Sequence, residues 1–180
     1  MDLLADQRRD EEFTDFVRAR GASLLQTATY LCANADQAQD LVQVTFTKTY
    51  LAWPAARRTE PYAYARRVLV NSNIDRWRRR RWRERADSDV ASHPDAPRVK
   101  DPAGQVVERA LLLAALSELT RRERVVLVLR FYEDLSERDT ASLLGVTAGT
   151  IKSTTSRALA KLRLHPDLQP VSEERSHADL

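Results

Sequence analysis

The residues best suited to chemistry lie near the end of the chain, on a polar helix that follows a tight turn. Ala141, Gly145 and Ile151 have the spacing found in two crossing helices. Ala141 is the small residue at the crossing, Gly145 suits the left-handed turn, and Ile151 packs between the two helices. The second helix then presents hydroxyl groups and cations to one side, at Thr147, Lys152, Ser153, Ser156, Arg157 and Lys161. Such donors contact base edges and phosphates when a helix lies in the major groove. The pattern predicts a helix-turn-helix that reads duplex DNA; the alternative is a helical hairpin without DNA contact.

A second candidate is the basic stretch from residue 66 to residue 85. This stretch contains nine arginines and two acidic residues, which gives it a local charge of +7. Because the whole chain has a net charge of +3, the remaining residues carry −4. Arginine beside aromatic rings is how proteins hold unpaired nucleic acid. The side chains that we expect to act in this way are Arg76, Trp77, Arg78, Arg79 and Arg80. The alternative is a solvated face, and Trp77 fits core packing equally well because it follows the core-facing Ile74 by three residues.

Two polar features precede this stretch. Asn71 lies one turn before the dense arginines, and an amide can make bidentate contacts with adenine, although a structural role is also open. Arg57 and Arg58 lie in a predicted loop between Trp53 and Glu60, which could hold a base flipped out of a duplex. Both features favour contact with melted nucleic acid.

Catalytic and metal chemistry are poorly represented. The single cysteine, Cys32, cannot form an internal disulfide and is predicted to be a small core residue. His93, His165 and His177 lie apart from any cluster of acids that could orient them. We therefore predict no enzymatic activity, no metal site and no cofactor; an enzyme acting on nucleic acid would need an acid cluster for metal or nucleophile.

Composition sets the fold class. The chain has 180 residues with only 4 glycines and 7 prolines, and its alanine, leucine and arginine content favours helix. We therefore predict an all-α fold and regard a sheet-dominated one as unlikely. No apolar run approaches the roughly 20 residues that span a bilayer. The acidic start, residues 1–6, does not resemble a signal peptide. A soluble cytoplasmic protein without membrane insertion is expected.

Two small helical domains follow from the distribution of polar residues. Residues 87–106 contain three prolines and four aspartates without apolar periodicity, as in a flexible linker. They separate a first domain at residues 10–86 from a second at residues 107–164. Residues 165–180 form a polar tail that cannot bury enough apolar surface to fold alone.

Caps and periodicity predict the helices of the first domain. One amphipathic helix should end near Asn34, and a second should begin at Asp36 as its N-cap and run through Trp53. A third should begin near Pro61 and direct Tyr62, Ala65, Leu69 and Ile74 toward the core.

Caps also define the helices of the second domain. The apolar run 111–119 should be central. Thr120 and Glu123 form a capping-box pattern, so we interpret the following VVLVLRFY as helix rather than strand. Ser136 should begin the first helix of the helix-turn-helix, which ends at Gly145.

Taken together, residues 10–164 resemble the extracytoplasmic-function sigma factors, the small bacterial initiation factors with only the second and fourth sigma regions. Three segments carry the resemblance: ADQAQDLVQVTFTKTYLAW, EPYAYARRVLVNSNIDRWRRRRWR and LSELTRRERVVLVLRFYEDLSERDTASLLGVTAGTIKSTTSRALAKLR. They are similar, in this order, to the polymerase-binding helix, the promoter-melting helix and the fourth region. Ends rich in arginine, such as WRRRRWRE, are similar to those of a subgroup common in actinobacteria.

The resemblance implies partners and roles. Asp40, Gln43 and Phe46 match the surface that docks on the β′ clamp helices of core RNA polymerase, although Val44 stands where the family often has glutamate. Further expected contacts are the polymerase β flap, promoter DNA as duplex and as melted strand, and an anti-sigma factor. Asn71, the loop before Pro61, and Tyr62 or Tyr64 match the part that captures a flipped minus-10 base, and residues 147–162 match the reader of the minus-35 element.

One other function fits much of the same pattern. A helix-turn-helix regulator could bind DNA without polymerase and use its first domain for sensing or dimerisation. Such a sensor has no need for an arginine and tryptophan helix preceded by an amide-rich docking face. The first domain therefore discriminates between the two hypotheses.

Overall fold

The computed structural model describes the backbone of residues 3–86 and 105–165, and the side chains of residues 6–79 and 107–165. Every element in these two stretches is helical, which confirms the predicted all-α fold. The helices are α1 (Leu3–Cys32), α2 (Ala35–Leu51), α3 (Trp53–Ala56), α4 (Pro61–Ala86), α5 (Gln105–Glu118), α6 (Arg121–Leu127) with a π-helical turn (Val128–Tyr132), α7 (Glu137–Leu144) and α8 (Ala148–Arg163). Of the predicted linker, residues 87–104 lie outside the described part, and its last two residues begin α5. The predicted tail lies outside it from residue 166 onward.

The start of α2 differs from the prediction. Asn34, not Asp36, is the N-cap, and its side-chain oxygen accepts a hydrogen bond of 2.9 Å from the Gln37 amide. Ala33 takes a left-handed conformation with φ of 51°, which leaves Asn34 extended directly before the first helical residue. A capping side chain acts only from that position, so Asp36 lies in the first turn of the helix instead.

The segment between α2 and α4 is also more ordered than the predicted loop. Residues 53–56 form the short helix α3, and the Trp53 ring is buried with 3% exposure. Its centroid lies 5.2 Å from that of Phe13 and 5.3 Å from that of Phe16. Trp53 is therefore part of the core, and the predicted loop is shortened to residues 57–60. The start of α4 at Pro61 agrees with the prediction.

Caps in the second half follow the sequence closely. Thr120 and Glu123 form the predicted capping box, so the strand alternative for the residues that follow is wrong. The helix widens into a π turn at residues 128–132, which the sequence did not indicate. Ser136 caps α7, Thr147 caps α8, and Gly145 between them has the left-handed φ of 65° that the turn requires. Ala141 and Ile151 are buried at the crossing, which confirms the helix-turn-helix.

One buried hydrophobic cluster includes residues of both halves. Leu24, Ala28 and Leu31 of α1 belong to the same buried cluster as Leu127 and Val128. Direct contacts run from α1 to α6 and to the π turn. The sequence pattern favours two separate domains and indicates none of these contacts, because the residues involved are about a hundred positions apart in the chain.

Candidate nucleic-acid interface

The outer face of α8 is built by its caps and by the apolar residues beneath it. Ile151 and Ala158 are buried with 1% and 0% exposure, and they fix which side of the helix meets α6 and α7. The six polar residues that the sequence singled out are all exposed: Thr147, Lys152, Ser153, Ser156, Arg157 and Lys161. The helix therefore presents hydroxyl groups and cations on one accessible face, beginning at its N-terminal end.

Lys161 differs from the other members of this face. Its ammonium group lies 2.9 Å from a carboxylate oxygen of Glu123, whose side chain is only 10% exposed. Burial raises the pKa of Glu123, but hydrogen bonds from Lys161 and from Thr120 outweigh that effect, and the pKa is lowered overall. The arrangement holds the last turns of α8 against the start of α6.

The predicted single-strand residues of α4 divide between two sides of the helix. Tyr64, Asn71 and Arg78 are seven residues apart, about two turns, so they form one stripe. Asn71 and Arg78 are exposed and Tyr64 is partly so. Arg67, which is not among the predicted residues, is exposed about one turn from Tyr64 and about one turn from Asn71, along the same side. We name Tyr64, Asn71 and Arg78 the open stripe.

Tyr62 lies on the other side of α4, about two and a half turns before Asn71. Its hydroxyl donates to Glu133 Oε1 at 3.0 Å, and the Arg66 guanidinium lies 3.1 Å from Oε2 of the same carboxylate. Burial, and then the Glu133 charge, raise the pKa of Tyr62 to about 12. Trp77 shares this side: it packs against the core, and Arg121 lies 5.9 Å from its ring centroid. The structure thus supports the core-packing alternative for Trp77.

The arginines around the loop and in α4 have internal partners to different degrees. Arg57 pairs with Glu12 at 2.8 Å, and that pair, followed by a hydrogen bond from Trp53, lowers the pKa of Glu12. Arg76 lies 3.4 Å from Asp40 and donates to the Gln37 carbonyl. Arg58 and Arg79 are exposed, and the side chain of Arg80 lies outside the described range.

The predicted polymerase-binding residues lie on α2. Asp40 and Gln43 are exposed and line a depression of about 320 Å³ between α2 and α4, together with Arg76 and Arg79. Phe46 is partly buried, and its ring lies 6.3 Å from that of Phe13 in an edge-on contact. Asp40 and Gln43 are therefore accessible, whereas Phe46 supports α2 from beneath.

Sequence reasoning missed the polar residues that join the two halves. Arg124 is 7% exposed and donates to the carbonyls of Leu116 at 2.7 Å, Ser117 at 3.0 Å and Cys32 at 3.1 Å. Burial lowers the pKa of Arg124, and the carbonyl oxygens compensate its charge. Glu133 is the second such residue, with a side chain 3% exposed. The available signal was a charged residue directly before and directly after the segment VVLVLRFY, at Arg124 and Glu133, but their partners lie too far away in the chain to be named from the sequence.

Two kinds of site are absent from the described residues. No three histidine, cysteine, aspartate or glutamate side chains come together there as a metal ion would require. Across the same stretches, no helix is both long and apolar enough to cross a membrane.

Comparison with known proteins covers both halves. Residues 16–83 match the family model for sigma-70 region 2, and residues 109–162 match the model for sigma-70 region 4. The RNA polymerase sigma-E factor of Streptomyces antibioticus is 42% identical over 84% of this chain and 83% of its own length. The ECF RNA polymerase sigma factor EcfG of Rhodopseudomonas palustris is 33% identical over 88% of this chain and 84% of its own.

Two solved structures share the arrangement of the helices. The sigma factor RpoE of Bartonella quintana, solved with the anti-sigma factor NepR, is 27% identical with a TM-score of 0.71. The alignment covers 89% of this chain and 99% of that one. CnrH, solved with the cytosolic domain of CnrY, is 23% identical with a TM-score of 0.59 and supports the fold alone.

Proposed function

The chain belongs to the extracytoplasmic-function group of the sigma-70 family, and on that premise we propose how its residues share the work of starting transcription. The protein is an alternative sigma factor that binds core RNA polymerase and directs it to promoters. Residues 10–86 act as region 2 and residues 107–164 as region 4, with residues 87–106 as the connection and 165–180 as a tail.

We assign minus-35 recognition to the exposed face of α8. Its groups are Thr147, Lys152, Ser153, Ser156 and Arg157. The early residues of such a helix reach base edges, so Lys152 and Ser153 contact bases and Arg157, a turn later, contacts phosphate. Lys161 is assigned to positioning, because its ammonium group is paired with Glu123.

We assign minus-10 recognition to the open stripe and to the arginines beside it. Asn71 has the amide for base recognition, Tyr64 has a ring for stacking, and Arg78 has a charge for the strand. Arg58 and Arg79 add positive charge to the same domain. Tyr62, Arg66 and Trp77 are covered by the second half in this structure, so any contact between them and DNA needs a different arrangement of the two halves.

We assign polymerase docking to Asp40 and Gln43 on α2, with Phe46 holding the helix in position. Acidic and amide groups complement a basic partner, and both side chains are accessible. The resemblance also leads us to propose the β′ clamp helices and the β flap as the docking sites on polymerase, an anti-sigma factor as regulator, and the cytoplasm as the location. We further propose that the protein contributes binding rather than catalysis.

The observation that carries this proposal is that the chain matches the family models of both sigma regions. Each matched region also has an exposed polar face, on α8 and on α4. A regulator that acts without polymerase does not account for the match to region 2 over residues 16–83. The test is transcription by bacterial core polymerase with and without the protein, with transcript starts mapped across a genomic DNA library. New start sites that share sequence elements support the proposal, and an unchanged set of starts contradicts it.

A matched pair of variants sharpens the same experiment. Lys152→Ala removes an exposed donor from the recognition face, and Lys161→Ala removes a lysine of the same helix that is paired internally. Start-site usage should fall with the first variant and fall less with the second, which affects α8 only through its position, at a temperature where both are folded.

A further inference from the structure

The first turns of α1 lie before the residues that match sigma-70 region 2, yet they contact the segment that leads into α4. The match begins at residue 16, and we name residues 6–15 the N-terminal arm. The ring centroid of Phe13 lies 5.2 Å from those of Tyr50 and Trp53. The Tyr50 hydroxyl donates to Asp10 at 2.5 Å. The N-terminal arm is therefore docked on the end of α2 and on α3.

One carboxylate of the N-terminal arm reaches the loop between α3 and α4. Glu12 Oε2 accepts a hydrogen bond from the Trp53 indole at 3.2 Å and one from the Arg57 guanidinium at 2.8 Å. Trp53 is held by packing in the core, whereas Arg57 is the first residue of the loop 57–60. Glu12 therefore ties the start of the loop to a side chain that cannot easily shift.

The side chains of this loop are used unequally. Three of the four bond inward: Arg57 to Glu12, Thr59 to the Ala56 carbonyl, and Glu60 to the Tyr62 amide. Arg58 is exposed, and it has no hydrogen bond or ion pair with any residue that the structure describes. The loop therefore holds its own shape with three side chains and presents one uncommitted cation.

The loop lies beside the open stripe. Thr59 and Glu60 line the same depression as Tyr64, and the Tyr64 amide donates to the Glu60 carbonyl at 3.0 Å. A shift of the loop therefore changes where Arg58 lies relative to the ring that we assign to base stacking. Groups that are held in place before a ligand arrives bind it more tightly, because less conformational freedom is lost on binding.

We propose that Glu12 is a positioning residue for promoter melting, which holds Arg57 so that Arg58 is presented to a phosphate of the melted minus-10 strand. Arg57 shapes the loop and does not contact DNA. Glu12 lies outside the matched residues 16–83, so this contact is an addition to the matched part of region 2. The inference rests on the proposed sigma function.

A matched pair of variants tests the role of Glu12. Glu12→Gln keeps the size of the side chain and an acceptor for the Trp53 indole, but it removes the charge that holds Arg57. Glu11→Gln removes the same charge one position earlier, from an exposed side chain that accepts only from Gln7 within the N-terminal arm. Each variant is combined with core polymerase and a promoter identified by start-site mapping, with a fluorescent base analogue in the minus-10 element.

The expected effect is moderate because the pair is half exposed. The side chains of Arg57 and Glu12 are 44% and 38% exposed, and ion pairs of this kind change an equilibrium by up to about fivefold. Promoter opening should therefore fall roughly three- to fivefold with Glu12→Gln and stay within about 1.5-fold of the parent with Glu11→Gln. Both variants should retain binding to core polymerase, which a general loss of structure would not allow.

A double-mutant cycle tests whether Glu12 acts through Arg57. Arg57→Gln should reduce opening by a similar factor, and adding Glu12→Gln to it should have little further effect, because the pair is already broken. Arg57→Lys keeps a charge for Glu12 to bind, so it should retain most of the opening. Effects of Glu12→Gln and Arg57→Gln that multiply in the double variant would overturn the proposal.

The two adjacent arginines separate positioning from contact. With Arg58→Gln, the dependence of promoter binding on salt concentration should become weaker by the equivalent of about one phosphate contact. With Arg57→Gln, the salt dependence should stay unchanged although opening falls. An equal change of the salt dependence in both variants contradicts the assignment of Arg57 to positioning.

Hydrogen exchange in the free chain distinguishes this inference from the sigma function. The amides of Arg58 and Thr59 donate to the carbonyls of Ala55 and Ala56 at 3.2 and 3.3 Å, so loosening of the loop accelerates their exchange. Without DNA or polymerase, these amides should exchange faster in Glu12→Gln than in Glu11→Gln.

Equal exchange or equal opening for Glu12→Gln and Glu11→Gln overturns the proposal. If Glu12→Gln unfolds as judged by circular dichroism, Arg57→Gln breaks the same pair from the other side and decides by the same criteria. Failure of the sigma function would instead appear in the parent protein, as an unchanged set of transcript starts.

Discussion

Lys161 donates to Glu123 across 38 positions of the chain, at a distance of 2.9 Å, and so joins the last turns of the recognition helix to the first turn of α6. Glu123 also accepts from the Thr120 amide at 2.9 Å, so one carboxylate serves a helix cap and an ion pair. The orientation of α8 therefore depends in part on a lysine that, by sequence alone, is indistinguishable from the neighbours that we propose to contact DNA.

This pair predicts different effects for two cations of α8. Lys161→Ala should lower the free energy of unfolding by about 1 kcal/mol, because the pair is half exposed and partly screened by solvent. Arg157→Ala should leave stability within about 0.5 kcal/mol, as for a surface substitution. Urea denaturation measures both. In polymerase-dependent promoter binding, the logarithm of the binding constant falls as the logarithm of the salt concentration rises. Arg157→Ala should make this slope shallower by the equivalent of about one phosphate contact, and Lys161→Ala should leave the slope unchanged.

The open stripe and the α2 surface should separate promoter opening from polymerase binding. Asn71→Ala removes an exposed amide that we assign to the flipped base, so it should reduce opening at least tenfold while binding to core polymerase is retained. Asp40→Ala should do the reverse, because its carboxylate is assigned to the polymerase. Fluorescence of a base analogue in the minus-10 element and a polymerase pull-down measure the two steps. Equal losses in both assays for either variant contradict the division.

The two glycines around the turn of the helix-turn-helix should respond oppositely to alanine. Gly145 has a φ of 65°, so Gly145→Ala is strained although the space around it is open, and it should cost about 1–2 kcal/mol. Gly149 lies inside α8, and a Cβ there would meet only Thr147 Oγ1 at 3.9 Å. Gly149→Ala should be neutral or stabilise by up to about 1 kcal/mol. Thermal denaturation of the two variants tests this prediction. Equal shifts of their melting temperatures would contradict it.

The raised pKa of Tyr62 predicts a loss of stability at high pH. The native state holds the neutral phenol, so the unfolded chain, with an ordinary tyrosine, releases its proton first. The stabilising contribution should be complete below about pH 10 and decline as the pH rises toward the native pKa of about 12. Glu133 raises this pKa further, whereas a hydrogen bond with Thr27 and the charge of Arg66 lower it in part. Tyr62→Phe, which cannot ionise, should lose less stability over this range in urea titrations.

Much of the fold follows from short-range signals in the sequence. Thr120, Ser136 and Thr147 cap the helices that they were predicted to cap, because a cap needs only its own side chain and an amide two or three residues later. Asp36 shows the limit of that rule: the left-handed Ala33 shifts the helix start by two residues, and no composition signal marked alanine for that conformation.

The sequence by itself determined the helices, the turn at Gly145 and the family, and it predicted two clusters of side chains for DNA binding, since each depends on the order of nearby residues. Only the tertiary structure decided which of those side chains are free. It placed Tyr62 and Asn71 on opposite sides of α4, paired Lys161 with Glu123, and buried Glu133 against residues 67 to 106 positions away. Contacts at that distance depend on how two helical units pack, and neither unit's own periodicity contains that information.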